Sequence, residues 1–212
     1  MKNIYTLVFL ILLTLSTLAQ RNMFYVFLNT NPDRAQISAD SANTLQDLHM
    51  ANITRLYNEG QLIAAGPFDG GGGHFIMLAT DSISVSFLLQ SDAAITANRF
   101  IIEIYPLTLI KGGICRPYEP FEMIEYSYAR LDSDTSQPAP EPSLIGLFEK
   151  GLAGEDEILC VGWLGNHQSA FVLFNSSSEK AMDFLKKDPL FRKKHFTITP
   201  KKLWVGKGTY CD

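Results

Sequence analysis

An excess of positive charge, a metal-binding spacing and a nucleotide fingerprint are all missing from this sequence, and each absence closes off a class of function. The 212 residues carry 18 Lys and Arg against 22 Asp and Glu, a formal net charge of −4. Nothing here favours the phosphates of nucleic acid or an anionic membrane surface. The nearest basic run, "KKDPLFRKKHF" from Lys186 to Phe196, is short and falls where a helix gives way to a strand, so it reads as a solvated face. Cysteine is scarce: Cys115, Cys160 and Cys211 form no CxxC and no Cys/His ligand spacing, so no metal site is expected. There is no Gly-Lys-Ser/Thr, no Rossmann glycine set after a first strand and no haem-attachment motif, so no cofactor is expected either. What remains, at 46% hydrophobic and 19% charged residues, is an ordinary globular composition.

The N-terminus, "MKNIYTLVFLILLTLSTLAQ", has one Lys, an apolar core from about Leu7 to Leu15, then Thr17-Leu18-Ala19. That core is shorter than the roughly 20 residues a spanning helix needs. Together with the small residues at −3 and −1 it reads as a signal peptide over residues 1–19, cleaved before Gln20. Loss of Lys2 takes the net charge to −5. The expected product is exported, periplasmic or secreted, with no stable membrane span after cleavage. In an oxidising compartment one disulfide is permitted and an odd count leaves one thiol over.

The chain repeats itself. Shifted by 96 positions, residues 60–115 fall on 156–211: Gly66 on Gly162, Phe75 on Phe171, Asp92 on Asp188, Leu107 on Leu203 and Cys115 on Cys211. This tandem duplication sets two domains, 22–115 and 119–212, handing over near "CRPYE". The Pro-rich stretch "LDSDTSQPAPEP", Leu131 to Pro142, lies inside the second copy and reads as a loop.

Each copy has the same order of elements. In the first, "MFYVFLN" is a β-rich run. A helix follows, with Leu45, Leu48, Ile53 and Leu56 at helical spacing and Gly60 as its stop. Two strands, "QLIAAGPF" and "HFIMLAT", a short helix from about Ser82 to Gln90 and a last strand, "RFIIEIYPL", complete it. The pattern βαββαβ predicts an α+β fold: two tandem ferredoxin-like units, each an antiparallel sheet with helices on one face, packed as a pseudo-dimer with their open faces buried. The four glycines Gly70–Gly73 then sit between two strands. A phosphate cradle needs a helix N-terminus, so they make a turn, one flexible enough to line a pocket.

"HMANITRLYNEGQLIAAGPFDGGGG", an apolar strand and "SISVSFLLQSDAA" resemble the YCII-related domain family, and "SSSEKAMDFLKKDPLF" resembles its closing helix and Asp-Pro. The resemblance covers about Met23–Cys115 well and Phe121–Cys211 more weakly. It implies the dimeric α+β barrel fold, shared by proteins with different reactions. It also implies a His–Asp pair in a pocket between helix and sheet, falling here on His49 and Asp92, although Ala93 follows where the family has Pro. A carboxylate would fix the imidazole tautomer and leave one nitrogen free to move a proton. That suits isomerisation, elimination or hydrolysis of a small carbonyl or phenolic ligand. Asp69, Gly66, Pro67 and Gly71 are the candidate substrate-binding positions.

A plainer reading stands beside this one. His49 lies on a mostly apolar helix, and Asp92, whose mate Asp188 persists opposite no histidine, could be a backbone cap. At the same offset Ile145 faces His49, so the second copy reads as a degenerate half and any active site is confined to the first. The rival to an enzyme is a non-catalytic binding or structural module of the cell envelope. Cys115 and Cys211, equivalent in the repeat, could form a disulfide only near a pseudo-two-fold axis, and Cys160 reads as a buried thiol. A fused pair of this kind could be a monomer or a homodimer.

Overall fold

The computed structural model describes residues 21–211 apart from 135, 137–141, 166, 168, 176 and 194, so the expected leader and half of the Pro-rich stretch lie outside the described residues. Strand β1 (Asn22–Thr30) is followed by α1 (Ala39–Asn58), β2 (Leu62–Pro67), β3 (Gly73–Ala79), α2 (Ser82–Leu89), α3 (Ala93–Thr96) and β4 (Phe100–Lys111). A two-residue strand β5 (Gly113–Ile114) leads to β6 (Met123–Ser133), α4 (Pro142–Ala153), β7 (Ile158–Leu164), β8 (Ser169–Phe174), α5 (Ser178–Lys187), α6 (Pro189–Arg192), β9 (Phe196–Gly206) and β10 (Tyr210–Cys211). Polar side chains start the first-half helices: Ser38 accepts from the Ser41 amide at 3.2 Å, and Asp81 from that of Ser84 at 2.7 Å. Gly60, at φ 69°, ends α1. The fold is α+β, built on one large antiparallel sheet.

That sheet has eight strands in the order β2-β3-β1-β4-β7-β8-β6-β9. Strand β4 spans the junction: Phe100–Pro106 pair with β1, and Leu107–Lys111 pair with β7. The two outer strands meet as well. Phe68, just beyond β2, bridges to Leu203 of β9, and the Asp69 amide donates to the Lys202 carbonyl at 3.0 Å. The closed sheet surrounds one apolar cluster drawn from both halves, including Tyr25, Phe27, Phe68, Tyr128, Phe171 and Leu203. Two more clusters lie between the sheet and the helices, one per half. With both faces covered, Phe24–Leu28 of β1 are all buried, which explains a continuous apolar run in place of alternation.

Two sequence expectations need correction. The ungapped offset fails in the hairpins. Gly66 pairs with His74 in the first, but Gly162 pairs with Phe171 in the second, whose loop is one residue longer. The counterpart of Phe171 is therefore His74: both point into the enclosed interior, whereas Phe75 faces the helices. The buried stripe of α1 is also displaced. Leu48 is 52% exposed, and the buried positions are His49, Asn52 and Leu56. A helix of 20 residues touches the sheet along one narrow line, and two polar side chains occupy it because Asp92 lies beneath.

Candidate functional site

Asp92 anchors the arrangement from the N-cap of α3. One carboxylate oxygen, Oδ1, accepts from the amides of Ala94 (3.0 Å) and Ile95 (3.1 Å). The other, Oδ2, accepts from Asn52 Nδ2 at 3.1 Å and lies 2.8 Å from His49 Nδ1. Asp92 thus caps α3 with one oxygen and holds the His49 ring with the other. Its side chain has no solvent exposure, and that of His49 only 11%. Burial alone would raise the Asp92 pKa. The His49 hydrogen bond and charge, the Asn52 amide and the Ile95 N–H outweigh it, so the carboxyl lies below its ordinary value. An ionised carboxylate accepts only, so Nδ1 carries the hydrogen and Nε2 holds the lone pair when the ring is neutral. Nε2 has no partner among the described residues and is not sealed from solvent.

The ring is held on both sides. Phe75 of β3 stacks on it at a centroid distance of 6.0 Å, and Phe100 at the start of β4 lies 5.9 Å away. Asn52 is fixed in turn: its Oδ1 accepts from Arg55 at 2.9 Å and from the Ser91 hydroxyl at 3.0 Å. Sequence reasoning passed over Asn52, Phe75 and Phe100. Asn52 could have been found, because it follows His49 by three residues and shares its helix face. The arrangement resembles a base held in one tautomer by a buried acid, and it can exchange a proton at Nε2.

The four candidate substrate positions lie elsewhere. Gly66, Pro67, Asp69 and Gly71 belong to the β2–β3 hairpin, and none is among the hydrogen-bond or ring partners of the dyad. Asp69 Oδ1 accepts from the Lys202 amide at 2.7 Å, fastening the hairpin to β9. A Cβ on Gly66 would fall 1.9 Å from the Trp204 carbonyl oxygen, and one on Gly71 3.0 Å from Thr30 Oγ1. Glycine at 66 is thus required by close backbone approach. Surface hollows of about 370 Å³, at Asp156, Glu157 and Lys180, and about 350 Å³, at Arg21, Ile83 and Phe87, are lined by neither His49 nor Asp92.

A disulfide joins Cys115 to Cys211, with Cα atoms 6.0 Å apart, beside the β5–β10 pair. Cys160 is a buried free thiol whose pKa burial pushes up to about 12. Among the described residues, no group of three or more His, Cys, Asp and Glu could hold a metal ion, and no helix is long and apolar enough to cross a membrane.

Among solved structures, the chain is similar to a Fusobacterium nucleatum protein provisionally described as a monooxygenase. The TM-score is 0.51 at 9% identity, over 91% of this chain and 97% of that one. A Lactobacillus acidophilus protein with the same provisional description matches at a TM-score of 0.48 and 10% identity, over 90% and 98%. At these identities the first likeness speaks for the fold alone. No protein-family profile matches the sequence, and no curated protein does.

Proposed function

We propose that this is an exported, YCII-like protein: two ferredoxin-like units, residues 22–115 and 119–212, fused as a pseudo-dimeric α+β barrel. Its first unit binds a small carbonyl or phenolic molecule, with His49 and Asp92 as an acid–base pair of the isomerase, lyase or hydrolase kind. The observation that carries this reading is the 2.8 Å contact between His49 Nδ1 and a fully buried Asp92, which leaves Nε2 as the only ring nitrogen without a partner. A structural ion pair gains little over apolar packing, and the second half fills the helix positions matching His49 and Asn52 with Ile145 and Phe148. A buried polar group kept where apolar packing demonstrably works is a functional-site candidate.

The second reading, a non-catalytic binding or structural module of the envelope, is favoured by one observation: the ring is walled by Phe75 and Phe100, and neither surface hollow reaches it. A ligand screen separates the two. Small phenols and lactones are titrated into wild type and His49→Gln while turnover and heteronuclear spectra are followed. Ligand-dependent shifts around α1 and α3 that vanish in His49→Gln, with any turnover, support the site. Shifts identical in both proteins, or none, leave the packing module. N-terminal sequencing of the expressed protein tests export: a start at Gln20 is expected.

A further inference from the structure

We infer that the centre of the barrel is a hydration site, in which ordered water is bound by Nε2 of His74 and the hydroxyls of Tyr25 and Tyr128. This goes beyond the proposed function, because it involves none of the dyad residues and lies on the opposite face of the sheet.

The three side chains are 0–2% exposed, yet His74 Nε2 and both phenol oxygens lack a hydrogen-bond partner among the described residues. They are close together. The Tyr25 ring stacks on His74 at 5.2 Å and lies 5.2 Å from Phe171, and Tyr128 stacks on the other side of that neighbourhood, 6.0 Å from Phe171. The hydroxyls of Tyr25 and Tyr128 lie near enough for a weak hydrogen-bonding interaction that shifts the ionisation of both, yet they fall short of full hydrogen-bond distance and angle, so neither alone satisfies the other. Tyr210 Oη and Thr209 Oγ1, also buried without partners, lie towards the disulfide end.

A buried imidazole or phenol without a good hydrogen bond is costly, so leaving His74 unmet and the two phenols poorly met would consume much of the narrow margin that holds a domain together. The interior is closed to bulk solvent on the Arg130 side. That guanidinium makes two bonds to Glu103 (2.7 and 3.1 Å) and one to Asp132 (2.9 Å), over the Phe27 ring. The group that completes the centre must therefore be small and enclosed, and it must both donate and accept. His74 sets the donor requirement. Its Nδ1 lies 3.3 Å from the Gly66 carbonyl and must carry the hydrogen, so Nε2 is an acceptor, and burial holds the ring neutral by lowering its pKa to about 4. Water can donate to Nε2 and bond both phenols, the roughly three contacts typical of a buried water. In the second half Phe171 stands where His74 stands in the first, so the site is one-sided, built by one half's polar residue at a shared axis.

The test is a high-resolution crystal structure of the mature protein, with oxygen-17 relaxation dispersion in solution. Density for water within hydrogen-bonding distance of His74 Nε2 and at least one of the two phenols is expected. The long-lived water signal should fall in both His74→Phe and Tyr25→Phe. A dry centre, with the hydroxyls bonded directly to protein, overturns the inference, and so does density too large for water. If His74→Phe does not fold, the wild-type density and Tyr25→Phe decide the matter.

Discussion

The two halves of the chain share strand order, a β-bulge at the same place in β2 and β7, and equivalent seams, but at three buried positions they differ in chemistry. Where α1 buries His49 and Asn52, the same positions of α4 carry Ile145 and Phe148, whereas Leu56 is matched by Leu152 and Asp92 by Asp188. Inside the barrel the first half supplies His74 and the second Phe171. The second half demonstrates that apolar side chains suffice for this architecture. Every polar replacement in the first half carries a desolvation cost that packing does not require. That is the argument for placing function in the first half.

The comparison can be broken most forcefully at the link between the halves. The Cys115–Cys211 bond closes a separation of 96 residues. In the loop-entropy model its removal by the paired Cys→Ser change should cost about 4–5 kcal/mol. Denaturant unfolding of oxidised and doubly substituted protein measures this, and a loss below about 1 kcal/mol would mean that the halves hold together without it.

His74 gives the next effect, and its sign is fixed. Its folded pKa of about 4 lies below the ordinary 6.5, so the unfolded chain binds a proton that the folded chain refuses between those values. Stability is therefore full above about pH 6.5 and falls as pH drops towards 4, by about 3 kcal/mol over the window. His74→Phe, which makes the first half like the second, should flatten that limb in urea melts taken at several pH values.

Asp92→Asn should cost about 2 kcal/mol at neutral pH, since it removes the charge that His49 and Asn52 share while keeping an N-cap oxygen. The lowered Asp92 pKa adds stability that is present above about pH 4 and lost as pH falls through the folded value, so the gap between wild type and variant should close in acid. The smallest effect contrasts two equivalent glycines. A Cβ at Gly66 strikes the Trp204 carbonyl, whereas one at Gly162 meets the movable tips of Leu107 and Phe171 at 2.7 Å. Gly66→Ala should be the more destabilising, by about 1 kcal/mol, in paired thermal melts.

Much of this was legible in the sequence. Strand and helix order followed from periodicity, and His49 and Asp92 from the resemblance of ordered motifs. The offset of 96 was correct for β2, β4, β7 and β9, where Gly66 and Gly162 or Leu107 and Leu203 are true equivalents. It was wrong for β3 and β8 because an ungapped match rewards Phe75 over Phe171 regardless of which face each strand presents. A slip of one residue changes the face, and only strand pairing reveals it. Asn52 was overlooked for a different reason: apolar spacing drew attention to Leu48, while the helix is oriented by a polar partner 40 residues away that no local pattern displays.

The most direct test of the central claim is nitrogen-15 correlation spectroscopy of the His49 ring in wild type and Asp92→Asn, with and without a small phenol or lactone found to bind. The account predicts a single Nδ1–H tautomer in wild type that loosens in the variant, and an Nε2 resonance that moves when ligand is added. A ring indifferent to both Asp92 and ligand would contradict it, and would make the first half as much a scaffold as the second.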